Sequence, residues 1–395
     1  MTAPKIARRS AIDPFIVMDV MRAAGDYARR AAAENLPAVV HLEVGQPSTP
    51  APRRAREAAA AALQAGTLGY TEALGLLELR QRIAKHYADF YGCTLPYERI
   101  AVTTGSSGGF LLAFLAAFDP GDRVALASPG YPCYRQILSV LGIEPVLIET
   151  QPETKFQPTP ALLDRLIADG AKIDGLILAS PSNPVGAMVS PSELAALARW
   201  CDAHGVRLIS DEIYHGVTYG MTAATAAQFS DHAIVINSFS KYFSMTGWRL
   251  GWLALPPDLM RPVERLAQNL FISPPAISQA AGLAAFDAGE ELDANVRRYA
   301  ANRALLLEEL PKAGFTQLTV PDGAFYLYGD VADFTDDSLD FSQRMLAETG
   351  IAATPGLDFD PARGAHFMRF SFAGATADMA EAARRLKAWH NKARR

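Results

Sequence analysis

Five short stretches of the chain place chemically able residues directly after apolar runs. GSSGGF follows RIAVTT and sets Ser106 and Ser107 at the start of the helical pattern LLAFLAAF. Small residues opening a helix leave backbone N–H groups free to hold a phosphate, and the helix dipole adds to the attraction. PGYPCY follows RVALAS and sets Tyr131 where its ring can lie beside another flat ring. PSNPVGA after DGLILAS supplies Asn183, and DEIY after VRLIS supplies Asp211 and Tyr214. An acidic residue ending a buried strand needs a cation or several donors, because burying it unpaired is costly. That cation is either a structural arginine or a protonated ring nitrogen. The fifth stretch, SFSKYFSMTGWRLGW after AIVIN, gathers Ser238, Lys241 and Arg249. Lysine is almost never fully buried unless something pairs or uses it. A desolvated amine has the lowered pKa that a Schiff-base lysine needs.

Taken singly, each stretch has a plainer explanation: a snorkelling lysine, a Gly-Ser helix cap, an Asn-Pro turn. Taken together they offer an anion cradle, a flat ring, an amide, a carboxylate with a phenol, and an amine with a hydroxyl and a guanidinium. That combination suits an anionic, aromatic, carbonyl-bearing cofactor. Pyridoxal 5'-phosphate has each matching feature: a phosphate, a ring nitrogen, a phenolic oxygen and an aldehyde.

The elements that must position these residues are legible as alternating patterns. From about residue 100 to 255 the runs RIAVTT, RVALAS, EPVLIE, DGLILAS, VRLISD, AIVINS and RLGWLAL recur between helical segments. This alternation predicts an α/β fold with a seven-stranded, mostly parallel sheet covered by helices on both faces. Ligands of such sheets bind beyond the carboxyl ends of the strands, which is where the five stretches fall. Upstream, residues 15–34 pattern as an amphipathic helix, and PAVVHLEVGQPSTPAP then runs extended through Gly45 and Pro47. After a long helical stretch near 276–312, the runs FTQLTV, AFYLYGD and HFMRFSFA predict a smaller α+β domain. The expected division is 1–45 as an N-terminal arm and part of the small domain, 46–285 as the large cofactor-binding domain, and 286–395 as the small C-terminal domain.

Composition narrows the function classes. The 395 residues carry 37 Lys and Arg against 42 Asp and Glu, a net charge of −5, without the basic stripe a nucleic-acid surface needs. Three cysteines, Cys93, Cys133 and Cys201, without CxxC spacing indicate neither a disulfide framework nor a zinc site, and no metal is expected. MTAPKIARRSAIDPF lacks the apolar run of a signal peptide, and no stretch of 18 apolar residues occurs, so the reading is cytoplasmic, with no membrane partner. The basic end RRLKAWHNKARR complements the dipole of a last helical turn.

In order along the chain, Gly45-Gln46-Pro47, Tyr70 with Gly75 and Leu79-Arg80, Gly105-Ser106-Ser107, Tyr131, Asn183-Pro184 with Gly186, Asp211-Glu212-Ile213-Tyr214, Ser238 to Lys241, Arg249 with Gly251, and Arg369 in MRFSF are motifs of one family. Across nearly its whole length the chain resembles the class I/II aminotransferases, fold-type-I pyridoxal-phosphate enzymes similar to aspartate aminotransferase. The resemblance implies that Lys241 holds the cofactor and moves the substrate's Cα proton, and that Asp211 keeps the ring nitrogen protonated. It implies that Asn183 and Tyr214 bond the phenolic oxygen and that Tyr131 stacks on the ring. Ser106, Ser107, Ser238 and Arg249 would bind the phosphate. Arg369 would clamp the substrate α-carboxylate in a bidentate fork that lysine does not reproduce, with Gly45 letting the backbone come close. It further implies a homodimer in which Tyr70 reaches the neighbouring subunit's phosphate. His215 and Cys133 receive no role and read as packing.

The activity implied is ping-pong transfer of an amino group between an L-amino acid and a 2-oxo acid. Two other classes stay open: a C–S lyase or other non-transaminase on the same fold, and an aminotransferase-like ligand sensor. The sensor lacks support because about forty residues precede Gly45, too few for an added DNA-binding domain. The amino donor and oxo-acid acceptor are not legible. No second cation for a distal carboxylate is evident, and Phe15, Phe271 and Phe325 would suit apolar side chains or serve the core.

Overall fold

Each of the seven apolar runs becomes a strand in the computed structural model, which describes residues 4–66 and 68–393. In spatial order they are Ile100–Thr103, Gly251–Ala254, Ile234–Ser238, Arg207–Asp211, Gly175–Ala179, Arg123–Ser128 and Glu144–Glu149. All run parallel except Gly251–Ala254, which is antiparallel to both neighbours. The runs lack polar alternation because helices cover both faces. Leu176, Leu178, Leu208 and Val235 enter one core, while Ile177, Ile209, Ile234 and Ile236 enter the other.

The smaller sheet is antiparallel, in the order Thr354–Pro355, Phe367–Ser371, Tyr326–Asp330, Gln317–Leu318. Its core gathers Tyr299, Leu306, Phe315, Leu327, Met368, Phe370 and Leu386, and Val40 and Leu42 of the extended N-terminal segment join it. Val40–His41 pairs in parallel with Ile351–Ala352, a two-residue ladder that no hydrophobic period announces.

The amphipathic helix is Ile16–Glu34. Its buried Val20, Ala24, Tyr27 and Ala31, spaced by three or four residues, pack on Leu346 and Ala352 of the smaller sheet's surroundings. The helix therefore rides on the small-domain elements while its first turn reaches the large sheet's ligand edge. The long helical stretch divides into Ala276–Ala285 and Gly289–Glu309. Of the basic end, helix Thr376–Ala393 includes all but the last two residues, which lie outside the described ones. Among the described residues no helix is long and apolar enough to cross a membrane, and no group of three or more His, Cys, Asp or Glu is placed to hold a metal ion.

Candidate active site

The carboxyl ends of the central strands open into a cavity of about 380 Å³, within the range of small-molecule sites. Lys241, Asp211, Tyr214, Asn183, Tyr131, Ser106, Ser107, Arg249, Gly45 and Arg369 all line it. These residues are separated by more than three hundred positions at the extreme, from Gly45 to Arg369, and come together because each follows a strand mouth or, for Gly45 and Arg369, faces it from the small-domain side.

Lys241 leaves the end of Ile234–Ser238 half-buried and donates from Nζ to the Gly45 carbonyl at 2.6 Å. Burial pushes its amine down to about 8, Arg369 and Arg249 adding repulsion and Asp211 opposing them. Asp211, 3 % exposed, ends Arg207–Asp211. Burial pushes its carboxyl up to about 6, held back by hydrogen bonds from the Tyr134 hydroxyl and the Ile213 amide. Both bonded partners are neutral, so this buried carboxylate has no cation bonded to it.

Tyr214 shares a 2.7 Å hydrogen bond with Tyr326, both hydroxyls buried. A side chain at position 45 would run into that Tyr326 hydroxyl, which accounts for Gly45. Tyr131 stands edge-on to Tyr134, centroids 5.2 Å apart, and edge-on to Phe15 at 5.8 Å. At the start of helix Gly105–Ala117, Gly105 has φ +69° and a Cβ there would strike the Arg249 guanidinium. The missing side chain leaves the helix N-terminus, with Ser106 and Ser107, beside a cation: a cradle for a doubly charged anion.

Arg369, 2 % exposed, is held by Asn183 Oδ1 at 2.9 Å, Thr354 Oγ1 at 3.2 Å and the Glu43 carbonyl, while its Nε has no partner. The guanidinium carbon lies over the rings of Tyr326 and Phe359, 4.4 and 4.7 Å from their centroids. None of its bonded partners is a carboxylate. Among the lining residues stand three cations, Lys241, Arg249 and Arg369, and one acid, Asp211. The field favours an anionic ligand with a further carboxylate.

Ser238 and Tyr70 do not line this cavity, Tyr70 being the residue expected at the neighbouring subunit's site. Ser238 lies behind the wall: its hydroxyl meets Ser240 Oγ at 2.7 Å and donates to the Leu250 carbonyl at 3.1 Å, and Ser240 is the serine that lines the cavity. Tyr70 is 83 % exposed and lines a separate surface hollow with Thr104 and Ser273. Phe15 lines the cavity, but Phe271 and Phe325 do not; Phe325 is fully buried, its ring 5.9 Å from Lys241 Nζ. Cys133 lines the cavity rather than packing in a core. His215 is buried and bridges Tyr91, at 2.7 Å, to the Ser180 carbonyl, at 2.9 Å. Burial pushes it down to about 3, so it works as a neutral hydrogen-bonding ring.

Sequence reasoning missed Tyr134, Tyr326 and Thr354. Tyr134 had a local signal, since YPCY sets it three residues after Tyr131, where a helix begins. The other two act only through tertiary partners and left none.

The comparisons with known proteins agree with this geometry. Residues 37–386 match the family described as aminotransferase class I and II. The chain is 52 % identical to valine–pyruvate aminotransferase of Mycobacterium tuberculosis over 389 residues, 98 % of each protein. It superposes on the crystal structure of an aminotransferase from Mycobacterium tuberculosis with a TM-score of 0.95 at 51 % identity, covering 99 % of this chain and 100 % of the other. Aspartate aminotransferase from Thermus thermophilus with maleate gives a TM-score of 0.90 at 30 % identity, covering 98 % and 100 %. The chain belongs to the class I and II aminotransferase family, on the fold-type-I scaffold. It is an enzyme, a pyridoxal-phosphate-dependent aminotransferase that works by ping-pong transamination.

Proposed function

We propose that the cavity around Lys241 is the catalytic site and that its amino donor is an L-amino acid with an uncharged, apolar side chain. The observation carrying the substrate reading is the division of the cavity wall. All three lining cations have work at the cofactor or the α-carboxylate; the wall also presents the apolar Phe15, Val17, Met18, Met21 and Ile137, and its polar members Gln46, Cys133 and Thr246 carry no positive charge. A distal carboxylate would meet no cation there, whereas an apolar side chain leaves water. The name valine–pyruvate aminotransferase of the 52 % identical relative points the same way and makes pyruvate the first acceptor to try.

The donor set fits pyridoxal 5'-phosphate residue by residue. The cradle at Ser106 and Ser107 with Arg249 suits the phosphate, Ser240 stands where a further hydroxyl is available, and Ser238 braces it. Asp211 supplies the negative charge a protonated ring nitrogen needs, with Tyr134 holding the carboxylate. Asn183 and Tyr214 would donate toward the phenolic oxygen, and Tyr131 would stand against the ring. When bound, the cofactor supplies a carbonyl for the substrate amine and an electron sink for charge at Cα.

Catalysis by the chain is then positioning and proton transfer. Arg369, steered by Asn183 and Thr354, fixes the α-carboxylate and so aims the Cα–H bond. Lys241 Nζ, lowered to about 8 by burial, is the base that would carry the proton between the substrate Cα and the carbonyl carbon of the bound cofactor. The buried surroundings strengthen each charge interaction.

The chain divides near residues 45 and 285 into an arm with part of the small domain, a large domain and the rest of the small domain; the smaller sheet has its own core, which Val40 and Leu42 join and to which Tyr214 and Val217 of the large domain also contribute. It acts in the cytoplasm as a homodimer, with exposed Tyr70 serving the site of the other subunit. The test of the substrate reading is a donor screen against pyruvate, 2-oxoglutarate and oxaloacetate. Valine, leucine and related donors should exceed aspartate and glutamate in kcat/KM by at least about a hundredfold. Equal or better rates with aspartate would refute it.

A further inference from the structure

The helix that supplies the apolar wall begins without a cap of its own. Phe15, at its N-cap, offers no acceptor to the first-turn amides, which need partners when buried. The partner comes from 341 and 342 residues away: Asp358 Oδ1 accepts from Ile16 N and Oδ2 from Val17 N, each at 3.1 Å. Asp358 is 1 % exposed, so the carboxylate is committed to this contact. Its charge also lies at the positive end of the 19-residue helix.

The segment bearing Asp358 is the one that holds the carboxylate clamp. Thr354 bonds Arg369 Nη2, Phe359 lies 4.7 Å from the guanidinium carbon, and Asp358 sits between them in sequence. The backbone of the segment is anchored independently of the Asp358 carboxylate: Arg135 Nη2 donates to the Asp358 carbonyl at 2.9 Å and Gly130 N to the Phe359 carbonyl at 3.0 Å. Phe15 and Val17, whose side chains line the cavity, flank or form the two amide contacts. One stretch of six residues thus sets both ends of the substrate space, the α-carboxylate end through Thr354 and Phe359 and the side-chain end through Asp358.

We propose that Asp358 is a specificity-determining positioning residue, whose carboxylate seats Phe15 and Val17 over the substrate side chain in register with Arg369. The proposal rests on the apolar-donor reading above. Removing the carboxylate leaves the clamp and its backbone in place, so small donors that do not reach the wall keep their rates, while large apolar donors lose the surface they bury.

The experiment compares the loaded wild-type enzyme with Asp358→Ala and Asp358→Asn, using valine with pyruvate and alanine with 2-oxobutyrate as donor and acceptor pairs, together with hydrogen exchange at the Ile16 and Val17 amides. Asp358→Ala should lower the valine-to-alanine ratio of kcat/KM about tenfold, chiefly through the KM for valine, and should speed exchange at both amides by a similar factor. Asp358→Asn keeps an acceptor oxygen and should lose about threefold; should the alanine variant fail to fold, the asparagine variant carries the test. Faster exchange with an unchanged ratio would make the contact merely structural and overturn the proposal, as would an equal loss with both donors. A wild type with no preference for valine over aspartate would overturn the apolar-donor reading itself and this role with it.

Discussion

Arg369 Nη1 donates to Asn183 Oδ1 across 2.9 Å, joining the strand Phe367–Ser371 of the smaller sheet to the loop after Gly175–Ala179 of the large one. The bond fixes the orientation of a buried guanidinium whose other partners are a hydroxyl and a backbone carbonyl. Arg369→Lys removes the planar fork and keeps the charge. It should raise the KM of both amino donor and oxo acid roughly thirty- to hundredfold with cofactor loading unchanged. Amines that lack an α-carboxylate should be little affected, and an equal loss with them would show that Arg369 does not read the carboxylate.

Asp211 and Tyr134 form a second pair, with the Tyr134 hydroxyl donating to the carboxylate. Asp211→Asn and Asp211→Ala should each cut kcat by about a hundredfold or more, if the carboxylate charge pairs with the ring nitrogen as proposed. Tyr134→Phe removes one donor to a buried charge and should cost about tenfold. Steady-state kinetics on the three variants decides it. Near-normal turnover in both Asp211 variants would make that residue a packing group.

The lowered pKa of Lys241 has a consequence for the cofactor-free protein. Its amine titrates near 8 when folded and near 10.4 when unfolded, so the unfolded chain binds the extra proton between those values. Stability contributed by this group therefore appears as pH rises from about 8 towards 10.4 and is lost as pH falls back through 8. Melting temperatures of cofactor-free wild type and Lys241→Ala should diverge in favour of wild type across that window. A difference that stays constant with pH would place the folded amine at its ordinary value.

Tyr70, exposed and outside its own cavity, should act in the partner subunit's site. Neither Lys241→Ala nor Tyr70→Ala homodimers should turn over normally, but a hybrid dimer has one site with both native groups and one with neither. Equal random mixing should restore about a quarter of wild-type activity. Activity no higher than the average of the parents, with hybrids verified by mass, would put Tyr70 in its own chain.

The large sheet was legible because strands buried on both faces read as unbroken apolar runs, and polar residues following them line the cavity. That logic picked out Lys241, Asp211, Asn183 and Tyr214, which line one cavity. It fails where a contact has no local pattern. Val40–His41 and Ile351–Ala352 are too short for a period to register. Ser238 and Ser240 are two residues apart on one turn, and only the fold decides which faces the cavity. Asp358, in a stretch that reads as ordinary loop, meets amides more than three hundred residues upstream.

The direct test of the site is chemical labelling of the loaded enzyme. Borohydride reduction should fix the cofactor irreversibly to one lysine and abolish its visible absorbance shift with amino donors, and peptide mapping should place the label on Lys241 alone. A label on any other lysine, or cofactor that remains removable after reduction, would contradict the assignment of Lys241 as the residue that holds the cofactor.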